Sequence, residues 1–242
     1  MKDPVEYTQS NRQRGWGTFM AAVRYSFPVF LGYMAIGIAF GLLLVDAGYP
    51  WWLAPIMGVL MYAGAGQYLA VGLFASGAGL AEAALLQFII NARHMAYGIT
   101  LGRRINASGP FKFYLIYALT DETFALLSSL PEGGGPGETG SRPSFMFMVA
   151  ALDHCYWVSG SIIGAVAGTL IPFNMEGISF ALTALFIVLM IEQILRVRRP
   201  APFVISALAA ALASFLLPSR FSLLTALVFS LALVHLFAGG ES

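Results

Sequence analysis

Charge is what this sequence has least of. Acidic and basic side chains together make up 10% of its 242 residues, well below the roughly 25% of an ordinary soluble domain. A chain this poor in polar surface cannot cover itself in water, so its solvent is largely lipid. Positive charge is scarce as well: the formal net charge is +1 and no basic run stands out, which excludes a phosphate-binding surface for nucleic acid. A single cysteine, Cys155, rules out an internal disulfide, and it is expected to be a small packing residue. Three histidines with no metal-ligand spacing leave no metal site to assign, and nothing calls for a cofactor.

What is present is apolar length. Hydrophobic residues are 58% of the chain and the mean hydropathy is +0.77. Nearly uncharged stretches fall at 27–45, 51–75, 80–101, 113–130, 145–170, 178–194, 202–217 and 221–237. Each approaches the roughly 17 to 25 residues that span hydrocarbon, so the expected fold is an all-α integral membrane protein with seven or eight hydrophobic segments. Residues 27–238 form one transporter domain in this reading. Residues 1–26 precede it as a cytoplasmic or interfacial segment, since Trp16, Phe19, Met20 and Val23 fall at helical spacing beside Arg14 and Arg24; a frayed tail reads equally well. The first apolar segment lacks a small-residue cleavage site and is expected to stay as a transmembrane helix.

From Gly48 to Ala81 no side chain is charged, yet Gly64-Ala65-Gly66-Gln67 interrupts the middle of that run. Glycines and an amide at membrane depth open backbone to a solute, so the second segment is expected to be broken or re-entrant. The first six segments divide into two sets of three, which would be inverted relative to each other, with a final helix pair behind them. In the fifth segment Gly160, Gly164 and Gly168 either mark a matching break or pack helices closely. Orientation follows lysine and arginine. The basic amino terminus and Arg196, Arg198 and Arg199 should be cytoplasmic, but three full crossings would put Arg103, Arg104 and Lys112 outside. Either an early segment is re-entrant or those residues have another task. The Gly- and Pro-rich stretch 131–143 reads as an aqueous loop.

Ionisable groups inside hydrocarbon are functional candidates. In the third segment Gln87, Asn91 and His94 share one helical face, with Arg93 beside them. The fourth carries Asp121 and Glu122, adjacent carboxylates that need a cation, for which Arg93 and His94 are the candidates. Asp153 and His154 form a second doublet in the fifth segment. Each of these groups also has a plainer reading, as interhelical glue or, for Asp121 and Glu122, as a pair near an aqueous mouth. Glu192 and Arg196 are spaced for a local ion pair. Serine spacing in Gly160-Ser161-Ile162-Ile163-Gly164 misses a nucleophile elbow. An intramembrane protease from Ser159 or Ser161 and a histidine stays open only in form, so no catalytic residue is named.

The order and spacing of several of these strings resemble the AzlC family of bacterial inner membrane proteins. They are Gly37-Ile38-Ala39-Phe40-Gly41, Ala63-Gly64-Ala65-Gly66-Gln67-Tyr68, Asn91-Ala92-Arg93-His94, Asp121-Glu122-Thr123-Phe124-Ala125, Tyr156-Trp157-Val158-Ser159-Gly160 and Gly177-Ile178-Ser179-Phe180-Ala181-Leu182. The resemblance spans nearly the whole chain, although a serine that commonly precedes the alanine in the Gly64 region is missing. It implies the large subunit of a two-component exporter of branched-chain and related neutral amino acids, working with a small membrane partner of the AzlD family. It implies an inner-membrane location, with the amino terminus cytoplasmic from the charge pattern; a higher oligomer is left open. On this reading Gly64, Gly66, Gln67 and Arg93 hold the substrate carboxylate, Asn91 is a further substrate-binding residue, and Asp121 or Glu122 takes the ammonium or an exchanging proton. Met61, Tyr62, Phe88 and Ile89 line a side-chain pocket, and His94, Asp121, Glu122, Asp153 and His154 are the proton-coupling candidates. The alternatives are a passive channel, a carrier of another small solute using the same cavity, or an intramembrane enzyme.

Overall fold

The computed structural model describes residues 4–130, 142–170 and 201–216, with scattered positions between 187 and 233; side chains are described from Trp16 onward. All regular structure among the described residues is helical. The expectations placed on Glu192 with Arg196, on 131–141 and on Gly177–Leu182 lie outside them.

Helix α1 (Pro4–Asp46) runs unbroken through the expected boundary at residue 26, so the amino-terminal segment and the first span are one helix. Its Trp16–Asp46 portion is long and apolar enough to cross a bilayer, as is most of the fifth-segment helix, Pro143–Leu170. The other helices of the first compact unit, 1–179, are α2 (Leu53–Leu60), α3 (Gly64–Ala75), α4 (Leu80–Asn106), α5 (Lys112–Tyr117), α6 (Asp121–Ser128) and α7 (Arg142–Leu170). The second unit, 180–242, contributes α8 (Ala201–Leu216). There Leu208, Leu212 and Phe229 help to line an apolar groove of about 750 Å³.

Helices α1 and α7 run parallel and in close contact. Tyr25, midway along α1, meets Phe145 near the start of α7, with ring centroids 5.7 Å apart, and Phe30 meets Tyr156 at 5.0 Å. Near their ends Gly168 faces Leu42 and Val45. Glycine makes the approach possible: a Cβ at Gly37 would sit 3.1 Å from the Trp157 carbonyl oxygen, and one at Gly160 3.1 Å from those of Tyr33 and Met34. At Gly41 and Gly164 a Cβ would collide with the facing backbone outright. Helix α7 is continuous through these residues, so the glycines of the fifth segment pack a helix rather than break one.

The breaks fall in the second and fourth segments instead. Between α2 and α3, Ala63 is extended at φ −154°, ψ 89°, and the chain doubles back there. Tyr49, just before α2, lies against Phe74 near the end of α3, ring centroids 5.6 Å apart, whereas Tyr62 at the bend lies against Tyr33 and His154. The fourth segment was expected as a single helix holding Asp121 and Glu122 at mid-length; it is two short helices with a bend at 118–120, and the carboxylates open the second of them. Thr120 caps α6 by accepting from the Thr123 amide at 3.3 Å, and acidic residues in a first turn suit the positive end of a helix. This pair doubles back too. Arg104, near the end of α4, donates to the carbonyls of Leu127 and Leu130 at 3.1 Å and of Ser128 at 3.3 Å, so α6 ends where α5 begins.

The two helical hairpins thus enter from opposite ends of the α1–α7 seam and meet at Tyr33, near the middle of the apolar span of α1. Tyr117 in the second donates to the Val59 carbonyl in the first. Large apolar side chains face outward, with Leu31, Phe88, Ile99 and Phe113 more than half exposed, as on helices that face hydrocarbon.

Candidate functional site

The site is built where the hairpin bends meet. Tyr33 reaches down from α1, donating to Glu122 Oε2 at 2.7 Å and lying 2.6 Å from the Thr120 hydroxyl. Thr120 continues to Thr123 at 3.1 Å, and Thr123 donates to Asp153 Oδ2 at 3.0 Å. One line of hydroxyls therefore joins two carboxylates, Glu122 on α6 and Asp153 on α7. Asp153 is fully buried. Beside it Trp157 donates its indole N–H to Gln67 Oε1 at 2.6 Å, and the same ring packs on the backbone at Gly64.

Helix α3 starts without a side-chain cap, because Ala63 has none to offer. Its first-turn N–H groups, those of Gly64, Ala65 and Gly66, have no carbonyl one turn earlier to bond. Gly66 lies under the polar stripe of α4: Gln87 donates to its carbonyl at 2.7 Å, and Asn91 donates to Gln87 Oε1 at 3.1 Å. Arg93, on an adjoining face, pairs with Asp121 at 2.5 Å, and Tyr97 donates to the same carboxylate. His94 sits half-buried next to Tyr97. His154 engages Tyr114 at 3.0 Å and the Gly58 carbonyl at 3.1 Å, and stacks on Tyr62 at 4.2 Å.

Gly64, Gly66, Gln67, Asn91, Arg93, His94, Asp121, Glu122, Asp153 and His154 lie near these bends, but the groupings differ from those expected. Arg93 finds Asp121 and not Glu122; Glu122 belongs with Tyr33. His154 clasps the end of α2 rather than joining Asp153. Phe88, expected in a substrate pocket, is on the outer face, and Cys155 is exposed rather than packed. Ser161 turns its hydroxyl to the Trp157 carbonyl. Sequence reasoning missed Tyr33, Thr120, Thr123 and the role of Trp157. A threonine immediately before two acids is an N-cap pattern, and it could have revealed the second bend.

Five buried side-chain atoms at this junction have no hydrogen-bond partner: Tyr62 Oη, Gln67 Nε2, Asn91 Oδ1, Arg93 Nε and Asp153 Oδ1. Unmet polar groups in a membrane interior are costly, typically about 1–3 kcal/mol each. They sort into two donors, two acceptors and a hydroxyl that can be either.

The AzlC family model, described as AzlC protein, matches residues 28–171, which hold both hairpins and all of these groups. A branched-chain amino acid transport protein of Bacillus subtilis, AzlC, is 31% identical across all of this chain and 86% of its own length. The chain belongs to the AzlC family. Other relatives are an uncharacterized membrane protein of Helicobacter pylori J99, 38% identical over 72% of this chain and 77% of its own, and the inner membrane protein YgaZ of Escherichia coli K12, 29% identical over 71% of each. No solved structure matches. Membership of AzlC points to a membrane protein of transport type.

Proposed function

We propose that the chain exports small neutral amino acids of the branched-chain type by alternating access, as the large subunit beside a small AzlD-type membrane partner. The set of five unmatched buried atoms carries this reading. A zwitterion brings an acceptor carboxylate and a donor ammonium, and only a ligand of both kinds complements unmet donors and acceptors together. The uncapped start of α3 at Gly64 and Gly66, with Gln67 Nε2 and Arg93, receives the carboxylate. Asn91 borders that position. Glu122, at the end of the hydroxyl line, is the group placed to exchange a coupling proton, with His94, Asp121, Asp153 and His154 as the other candidates.

Taking α1 and α7 as membrane-spanning makes both hairpins re-entrant. Then α4 returns the chain to the side it began on, and Arg103, Arg104 and Lys112 share the cytoplasmic side of the bacterial inner membrane with the amino terminus. The conflict met in the charge pattern disappears. The bends are tied in the present arrangement, so opening one hairpin at a time would expose the site to one side and then the other.

Proteoliposomes holding this chain and an AzlD-type partner, loaded with labelled valine under an imposed pH gradient, test the reading. Gradient-dependent efflux is expected. Downhill leak indifferent to the gradient would mean a channel, and no flux of any neutral amino acid would overturn the proposal.

A further inference from the structure

The ammonium end of the substrate has two claimants on α6, and each already holds a donor. Asp121 already accepts from Arg93 and Tyr97, and Glu122 accepts from Tyr33. Asp153 differs. One of its oxygens accepts from Thr123, while Oδ1 is buried without a partner, and no described cationic side chain pairs with it. His154, its neighbour in sequence, points to Tyr114 and Gly58. A second group without a well-formed hydrogen bond is on a different element: the Tyr62 hydroxyl, from a side chain only 4% exposed, whose ring lies against Tyr33 and His154. Aromatic rings wall this spot, since Tyr33 packs edge-on to both Tyr62 and Trp157, at 6.4 and 5.4 Å. A carboxylate oxygen, a hydroxyl and ring faces are what a primary ammonium binds.

We infer that Asp153, with Tyr62, holds the α-ammonium group of the transported amino acid. The inference rests on the exporter reading and sharpens it. Trp157, hydrogen-bonded to Gln67 on the carboxylate side and packed against Tyr33 on the ammonium side, spans the two ends of the ligand. A substrate seated across that gap fixes its α-carbon between α3 and α7, leaving its side chain to choose among aliphatic neighbours.

The same indole reports on binding. Trp16, Trp51 and Trp52 are all exposed by 45% or more, so replacing them by Phe leaves Trp157 as the lone emitter in otherwise full-length protein. Its fluorescence in detergent is followed with valine, with isobutylamine, which carries only the ammonium, and with 3-methylbutanoate, which carries only the carboxylate. In Asp153→Asn the apparent Kd for valine is expected to rise roughly tenfold or more. The amine response should vanish and the carboxylate response persist. Tyr62→Phe, which removes only a hydroxyl, should weaken valine and amine in the same sense by a smaller factor and spare the carboxylate, and it covers the case in which the Asp153 variant does not fold. Undiminished valine and amine responses in both variants would overturn the inference while leaving the exporter reading intact. So would a response to sodium ion alone that depends on Asp153, since the site would then belong to a metal cation. Folded protein that answers to the amine but never to valine would sink the exporter reading instead.

Discussion

At the scale of single residues, the pairing of Arg93 with Asp121 decides how each can act. Removing one partner leaves the other as an uncompensated charge inside the membrane protein, whereas removing both removes the demand. Asp121→Asn should therefore lose most valine flux and lower the thermal midpoint. The double variant Arg93→Met with Asp121→Leu should recover more stability than the singles lead one to expect, with a coupling of about 0.5–3 kcal/mol; strict additivity in thermal unfolding would show that the pair does not act as a unit. Gly66→Ala makes a different prediction. Its Cβ would sit 2.9 Å from Gln87 Oε1 and 3.0 Å from Asn91 Nδ2, which are ends of flexible side chains. The protein should assemble normally but transport poorly, because the Gln87 bond to the Gly66 carbonyl is displaced; unchanged flux would separate the stripe of α4 from function. The residue types at this site were legible in the sequence, since charge at membrane depth announces itself. Their partners were not: helical periodicity says which groups share a face, and nothing in it says that Glu122 faces Tyr33, 89 positions earlier.

Among the helices, the contact of α1 with α7 depends on absent side chains. Gly164→Ala places a methyl into the Ile38 carbonyl, and Gly41→Ala one into the Ser161 carbonyl; backbone cannot yield as a side chain does. Each should cost about 1–3 kcal/mol or more and depress the yield of folded protein. Gly168→Ala meets only side-chain atoms of Leu42 and Val45, the nearest at 3.4 Å, and should be close to neutral. Comparable thermal midpoints for all three would remove close packing as the reason for these glycines. The break in the second segment was readable because Gly64 and Gly66 lie in an uncharged run. That in the fourth was hidden, since Tyr117-Ala118-Leu119-Thr120 contains neither glycine nor proline. Only its threonine cap marks a new helix start, and a cap is a weak local signal beside a continuous apolar stretch.

For the molecule as a whole, two inward-folding hairpins make a prediction about sides. With Cys155 replaced by Ala, single cysteines at Ala47, Ser76 and Asn106 should divide two and one. The first two share one face because Tyr49 and Phe74 are in contact, and the third lies at the far end of α4. A membrane-impermeant maleimide added to intact cells is expected to label positions 47 and 76, and position 106 only after permeabilisation; labelling 76 and 106 from the same side would overturn the re-entrant reading. Hydropathy marks apolar stretches, but which of them turn back depends on contacts between distant parts of the chain, and hydropathy carries none. The seam between α1 and α7 has one more consequence, for biogenesis. Ser26 and Tyr156, which meet along it, are 130 positions apart. At ordinary synthesis rates the ribosome needs roughly 6 to 26 s to cover that distance. For that interval α1 waits in the bilayer with its glycine face bare, open to lipid or to any other nascent helix that arrives first.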